Sequence, residues 1–203
     1  MTEPALGSER TARPGRPRDP QLDEQVLRAT QELLVEQGYQ ATTIQGVARR
    51  AGVVTTSIYR RWPGKRELVE DAVFALETGA NPPPTGDLHA DLLAWTRLFV
   101  SVANHPAARS AIPGLLSAYH DDHDSYRRLI NRGEEPTRGA LRETIAAAAR
   151  AGRADPACDV DTIFEFLRGA TLIRALTRGD ENADQFCQRT ADALVRLATP
   201  PNP

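Results

Sequence analysis

Long apolar stretches are missing from this chain: 40% of its 203 residues are hydrophobic, yet no uninterrupted apolar run approaches the ~18 residues that a membrane-spanning helix needs. Cysteine is scarce too. Cys158 and Cys187 are too few and too scattered for a disulfide framework or a zinc site, and such usage suits a reducing cytoplasm. The opening MTEPALGSERTARPGRPR has no apolar core and does not read as a signal peptide. Nucleophile elbow, phosphate loop, paired CxxC and HExxH are all absent, so no catalytic residue, cofactor or metal is assigned. Aromatic residues make up only 5% of the chain, so a small or modest ligand cavity is expected as much as a multidrug one. No internal repeat or strand pattern is present, and the expectation is an all-α fold.

Acid is also missing, but only locally. From Gln37 to Arg66 there is no Asp or Glu, while Arg49, Arg50, Arg60, Arg61, Lys65 and Arg66 supply six cations. Residues 1–65 carry ten Lys+Arg against seven Asp+Glu, and residues 66–203 carry fifteen against twenty, in a chain of net charge −2. A cationic, acid-free window in a net-acidic chain is an electrostatic footprint for phosphate, and it confines nucleic-acid binding to one face.

The spacing inside the window supplies a geometry. Thr42 or Thr43 can cap a helix whose apolar residues are Ile44, Val47 and Ala48, at i, i+3 and i+4. Gly52 then allows a tight turn at positive φ. A second short helix follows, with Val53, Ile58 and Trp62 inward and Thr55, Thr56, Ser57, Tyr59, Arg60 and Arg61 on its other face. Small hydroxyls let such a helix approach a major groove closely, and Tyr and Arg reach bases or phosphates. Arg49 and Arg60 are candidates from charge and helix face alone.

Around this motif the remaining helices are expected over residues 20–37, 65–78, 88–104, a stretch from Pro106 to about Tyr119, 124–151, 159–178 and 182–198. Pro113 implies a kink or short break. Gly133 and Pro136 should bend or split the 124–151 helix. Glu134-Glu135 reads as an exposed acidic pair near a helix start. His120 and His123, three apart and flanked by aspartates, could share a helix face, but a structural metal site normally shows four ligands, and the plain alternative is a solvated loop. Residues 1–19 are expected to form a disordered basic arm. Gly15-Arg16-Pro17 resembles the core of an AT-hook, so Arg16 and Arg18 could enter a narrow A·T minor groove; the alternative is a solvated tail.

Thr42-Thr43-Ile44, Val47-Ala48, Ala51-Gly52-Val53, Ile58-Tyr59, Trp62-Pro63-Gly64-Lys65 and Leu68 together resemble the TetR/AcrR family of bacterial transcriptional regulators. The match is specific over about residues 22–70. It implies about nine helices: a three-helix helix-turn-helix DNA-binding domain over 20–65, and a ligand-binding and dimerisation domain over 66–199. Val54 departs from the family's usual Ser or Thr, which leaves Thr55 as the candidate cap. The resemblance implies DNA contacts by Thr43, Thr55, Tyr59 and Lys65. It favours a small-molecule pocket from Trp95, Phe99, Tyr119, Phe164, Leu167 and Thr171, with His120 or Arg174 as further polar handles. It implies a homodimer through a four-helix bundle, with Phe166, Gly169, Ala170 and Ile173 on one helix and Phe186, Thr190 and Leu194 on the next. The expected protein is a cytoplasmic, non-enzymatic regulator, a repressor that leaves double-stranded operator DNA on binding an unknown inducer. A helical DNA-binding protein without ligand control, acting structurally or through a protein partner, is the alternative.

Overall fold

The computed structural model describes residues 20–77, 81–129 and 133–199. Among these, ten α-helices and one short 3-10 turn are present and no strand is. Helix α1 spans Pro20–Ala41, α2 Ile44–Ala51, α3 Thr55–Tyr59 and α4 Lys65–Phe74, which tightens into the 3-10 turn Ala75–Glu77. Then follow α5 Leu88–Asn104, α6 Pro106–Asp121, α7 His123–Leu129, α8 Glu135–Arg150, α9 Val160–Thr177 and α10 Ala183–Ala198.

Local rules account for most starts and stops. Thr43 caps α2, its Oγ1 accepting from Gly46 N at 3.0 Å. Gly52 ends that helix at φ +67°, a conformation that costs a side-chain-bearing residue energy. Asp87 caps α5 by accepting from His89 N and Ala90 N. Asp159 does the same for α9, and hydrogen bonds from the Thr162 hydroxyl and from backbone amides hold its carboxyl below the usual range.

The 124–151 helix is split, as expected from Gly133 and Pro136, into α7 and α8, which brings the count to ten among the described residues. Three expectations are corrected. Pro113 does not break α6, which runs through it without interruption; the missing N–H leaves only the Arg109 carbonyl without its helical donor. Thr55 is the first residue of α3 rather than its cap. The cap position belongs to Val54, which offers no side-chain oxygen. Finally, Glu134 is buried, whereas Glu135 is exposed.

Three apolar clusters hold the molecule together. Val26, Leu33, Val47, Ile58, Trp62 and Leu68 close α1, α2 and α3 onto the start of α4. Leu92, Trp95, Leu141, Phe164, Leu167 and Leu194 join α5, α8, α9 and α10. Between them lies a smaller cluster of Leu34, Val69, Ala107, Ala111 and Leu115 from α1, α4 and α6. Two hydrogen bonds fix that junction: Gln31 Nε2 donates to the Ala72 carbonyl at 2.8 Å, and Ser110 Oγ donates to the Leu34 carbonyl at 2.6 Å. Helix α4 therefore belongs to the N-terminal cluster through Leu68 and to the junction through Val69.

Candidate DNA-binding face and ligand cavity

The helix-turn-helix stands on the buried face of α2 and α3, so their other faces meet solvent. Thr43, Arg49, Thr56, Tyr59 and Arg60 are exposed there, and Thr55, Ser57 and Lys65 are half-buried beside them. Beside the N-terminus of α2 is a polar hollow lined by Gln37, Thr43, Gly46, Arg49 and Arg50. Backbone amides at a helix start and guanidinium groups suit a phosphate. Arg16 and Arg18 lie outside the described residues.

The six cations of the window are not equivalent. Arg50 pairs with Glu36 at 2.6 Å and Glu32 at 3.2 Å across to α1. Arg61 pairs with Asp23. Arg66 reaches Glu67 at 2.9 Å and Asp122 at 3.3 Å. Arg49 and Arg60 make no ion pair among the described residues, so their charge is offered to solvent. Lys65 lies 4.3 Å from the centre of the Tyr39 ring and donates to the Gln40 carbonyl at 3.2 Å, and burial pulls its pKa down.

Val54 was not among the expected contacts, yet it is 66% exposed at the tip of α3. An apolar cap residue leaves the first amides of the helix without a side-chain acceptor. Val54→Ser should supply one and raise stability by about 1 kcal/mol, read as a higher urea midpoint at unchanged slope. An unchanged midpoint would show that the start of α3 does not depend on its cap.

The second feature is a cavity of about 170 Å³ lined by α4, α5, α6, α7, α8 and α9. Of the six pocket candidates, Phe99, Tyr119, Phe164 and Thr171 line it. Phe99 and Phe164 meet edge to face with centroids 5.6 Å apart. Trp95 and Leu167 do not line it. Both are fully buried in the core cluster behind, where the Trp95 indole donates to Thr144 Oγ1 at 3.2 Å. His120 is exposed, and Arg174 is buried elsewhere, stacked on Phe186 and bonded to the Glu181 carbonyl.

Several lining residues escaped sequence reasoning: Glu70, Phe74, Tyr126, Glu134 and Arg168. The signal was available for Glu70, a carboxylate at i, i+3 and i+4 spacing from Val73 and Phe74. Glu70 accepts from the Tyr119 hydroxyl at 3.0 Å and stands 3.8 Å from Arg66 Nε. Burial, reinforced by Glu70, pushes the Tyr119 phenol far above its ordinary pKa, so it remains a donor.

A third surface is apolar and open. Phe166 and Ile173 are each 60% exposed on α9, with exposed Gly169 and Ala170 between them, and Leu197 of α10 is also exposed. A Cβ at Gly169 would meet nothing. The other interface candidates are less open. Phe186 and Thr190 are half-buried, and Leu194 is buried in the protomer's own core beside Ala198. Among the described residues no group of three or more His, Cys, Asp or Glu is placed to hold a metal ion, and no helix is long and apolar enough to cross a membrane.

Comparison with known proteins agrees with this layout. Residues 26–72 match the profile of bacterial regulatory proteins of the tetR family, and residues 82–194 match that of a tetracyclin repressor-like C-terminal domain. An HTH-type transcriptional regulator of Bacillus subtilis, YdeS, is 26% identical over 175 residues, covering 85% of this chain and 87% of that protein. The DNA-binding transcriptional repressor TetR of Mycobacteroides abscessus is 28% identical, covering 87% of this chain and 93% of its own. The crystal structure of a TetR family transcription regulator, SCO0332, superposes with a TM-score of 0.70 at 30% identity, over 89% of this chain and all of that one.

Proposed function

The chain belongs to the TetR family of transcriptional regulators and is a non-enzymatic, DNA-binding protein; from this premise we propose that it is a cytoplasmic homodimeric repressor that leaves its operator when a small molecule fills the cavity. The observation that carries this reading is the position of α4. Lys65 and Arg66 at its start adjoin the helix-turn-helix, and Glu70, Val73 and Phe74 further along form part of the cavity wall. Ten helical residues span about 15 Å, and a helix is stiff. A ligand that moves the cavity end of α4 must therefore move its DNA end.

In this reading residues 20–65 bind DNA and residues 66–199 bind ligand and partner. The open strip of Phe166, Gly169, Ala170 and Ile173 packs against its two-fold mate, which places two recognition helices at a fixed separation. Half-site spacing tolerates little change in that separation. Couplings of about 1–3 kcal/mol between ligand and operator alter affinity roughly 5–150-fold.

The test uses fluorescence anisotropy on the DNA flanking the protein's own gene. Lys65→Ala should weaken all sequences alike and lower the salt slope by about one unit. Arg60→Ala should relax preference at one operator position. A compound that releases the operator should bind less tightly, by the same factor, when operator is present. Equal ligand affinity with and without operator would refute the inducer reading, and undiminished DNA binding by both Tyr59→Ala and Arg60→Ala would refute the assigned DNA face.

A further inference from the structure

The turn between α2 and α3 ends on two valines with opposite surroundings. Val53 packs against the cluster that includes Ile58, Trp62 and Leu68, whereas Val54 is 66% exposed. Neighbours in extended backbone point to opposite sides, and Val54 stands at φ −82°, ψ 143°. Its carbonyl opens α3 by accepting from Ser57 N at 3.0 Å, while its side chain supplies no capping bond. A hydroxyl there would satisfy one of the free amides of the first turn. The position forgoes that bond and turns two methyl groups to solvent instead. Around it the outward face carries exposed Thr56, Tyr59 and Arg60 on α3 and exposed Arg49 on α2. No Asp or Glu occurs between Gln37 and Arg66, so this apolar side chain stands in a field that attracts DNA.

We propose that Val54 is a specificity residue that reads the C5 methyl of a thymine in each operator half-site. The inference rests on the assigned DNA face. In a helix-turn-helix, residues at the start of the second helix meet base edges in the major groove. What each exposed side chain gains there differs. Arg49, Thr56, Tyr59 and Arg60 carry charges or hydroxyls, which phosphate oxygens and base edges both satisfy. Val54 has only methyl groups to offer, and a phosphate gives them nothing. On the major-groove edge the C5 methyl of thymine is the apolar partner, and it marks a T·A pair against G·C and C·G. Seated against it, the Val54 methyls leave water at the moment of binding, which is favourable in proportion to the area covered. Serine at this position would start the helix better and sense no methyl, so the residue exchanges local stability for readout.

The experiment begins with in vitro selection of the full-length protein on a random duplex pool, which yields the operator probe. Each thymine of a half-site, together with its two-fold mate, is then replaced by deoxyuridine. That change removes the methyl and keeps every hydrogen-bonding group, and fluorescence anisotropy reads the affinity. One position should lose about fourfold per half-site, the equivalent of one methyl group no longer taken out of water. Val54→Ser and Val54→Ala should bind thymine and deoxyuridine alike at that position, and Val54→Ser should do so with a raised urea midpoint. Wild-type protein indifferent to every replacement would overturn the proposal, because a Val54 resting on sugar or phosphate senses no methyl. A penalty that persists in both variants would overturn it too and move the readout to Thr56 or Tyr59. Loss of all operator binding in both would do the same, since one methyl contact does not carry the affinity. Tyr59→Ala and Arg60→Ala on the unmodified duplex keep the failures apart. If both bind undiminished, the assigned DNA face fails; if they bind weakly while deoxyuridine changes nothing, only the Val54 assignment fails.

Discussion

Ile173→Glu is expected to convert the proposed dimer into a monomer and abolish binding to a full palindromic operator, although no proposed DNA contact is touched. Ile173 lies at the end of an open strip that begins at Phe166, with Gly169 leaving room for a second helix. In a two-fold interface each substitution is felt twice. Two carboxylates brought into an apolar interface without partners should cost several kcal/mol. The protomer should melt near the wild-type temperature, because the side chain already faces solvent within one subunit. Light scattering coupled to size exclusion reads the mass, and anisotropy reads the operator. A variant that remains dimeric would place the interface elsewhere. Leu194→Glu makes the useful contrast. Leu194 packs in the core cluster that includes Trp95 and Phe164, so that variant should unfold rather than dissociate.

Trp62→Ala should be the most destabilising change in the DNA-binding half. Trp62 is 4% exposed, within the cluster of Val26, Ile58 and Leu68, and its Nε1 donates to Asp71 Oδ2 at 2.7 Å. Emptying such a site costs about 3–5 kcal/mol, a large share of the 5–15 kcal/mol that holds a typical domain together. Trp62→Phe retains most of the volume and loses the hydrogen bond to a charged acceptor, so about 1.5–3 kcal/mol is expected. Urea unfolding measures both. Equal losses in the two variants would mean that the indole N–H, not the packing, secures α3 to α4.

The sequence was most legible where structure is decided over a few residues. Thr43 and Gly52 bracket α2, Asp87 starts α5, and the apolar spacing of Ile44, Val47, Ile58 and Trp62 marks the buried face. It was least legible where distant residues meet. Arg50 lies 14 residues from Glu36, and Arg66 lies 56 residues from Asp122. A count of cations inside a window cannot register acids that arrive from α1 and α6. Glu134 read as solvated because charged residues usually are; only the closure of α7, α8 and α9 around it makes it a wall. Leu194 illustrates a different ambiguity. Helix α10 buries Cys187, Ala191, Leu194 and Ala198 inside the protomer while Leu197 stays exposed. Apolar faces that adjoin on one helix overlap in sequence, and periodicity does not say which neighbour each one meets.

Two glycines receive aromatic rings from α1 and α4. A Cβ on Gly114 of α6 would clash with the Tyr39 ring, and a Cβ on Gly133 would clash with the ring of Phe74, the last residue of α4. Each is a socket that exists only because a side chain is missing, and each plug belongs to a helix that also carries the DNA-binding half. Socket and plug form one heritable unit. A lineage that acquires alanine at either glycine must relieve the clash with the ring opposite, or it shifts the register of the helices. The order of such steps is constrained even though neither residue touches DNA, and divergence at these four positions should proceed pairwise while the apolar walls between them drift freely.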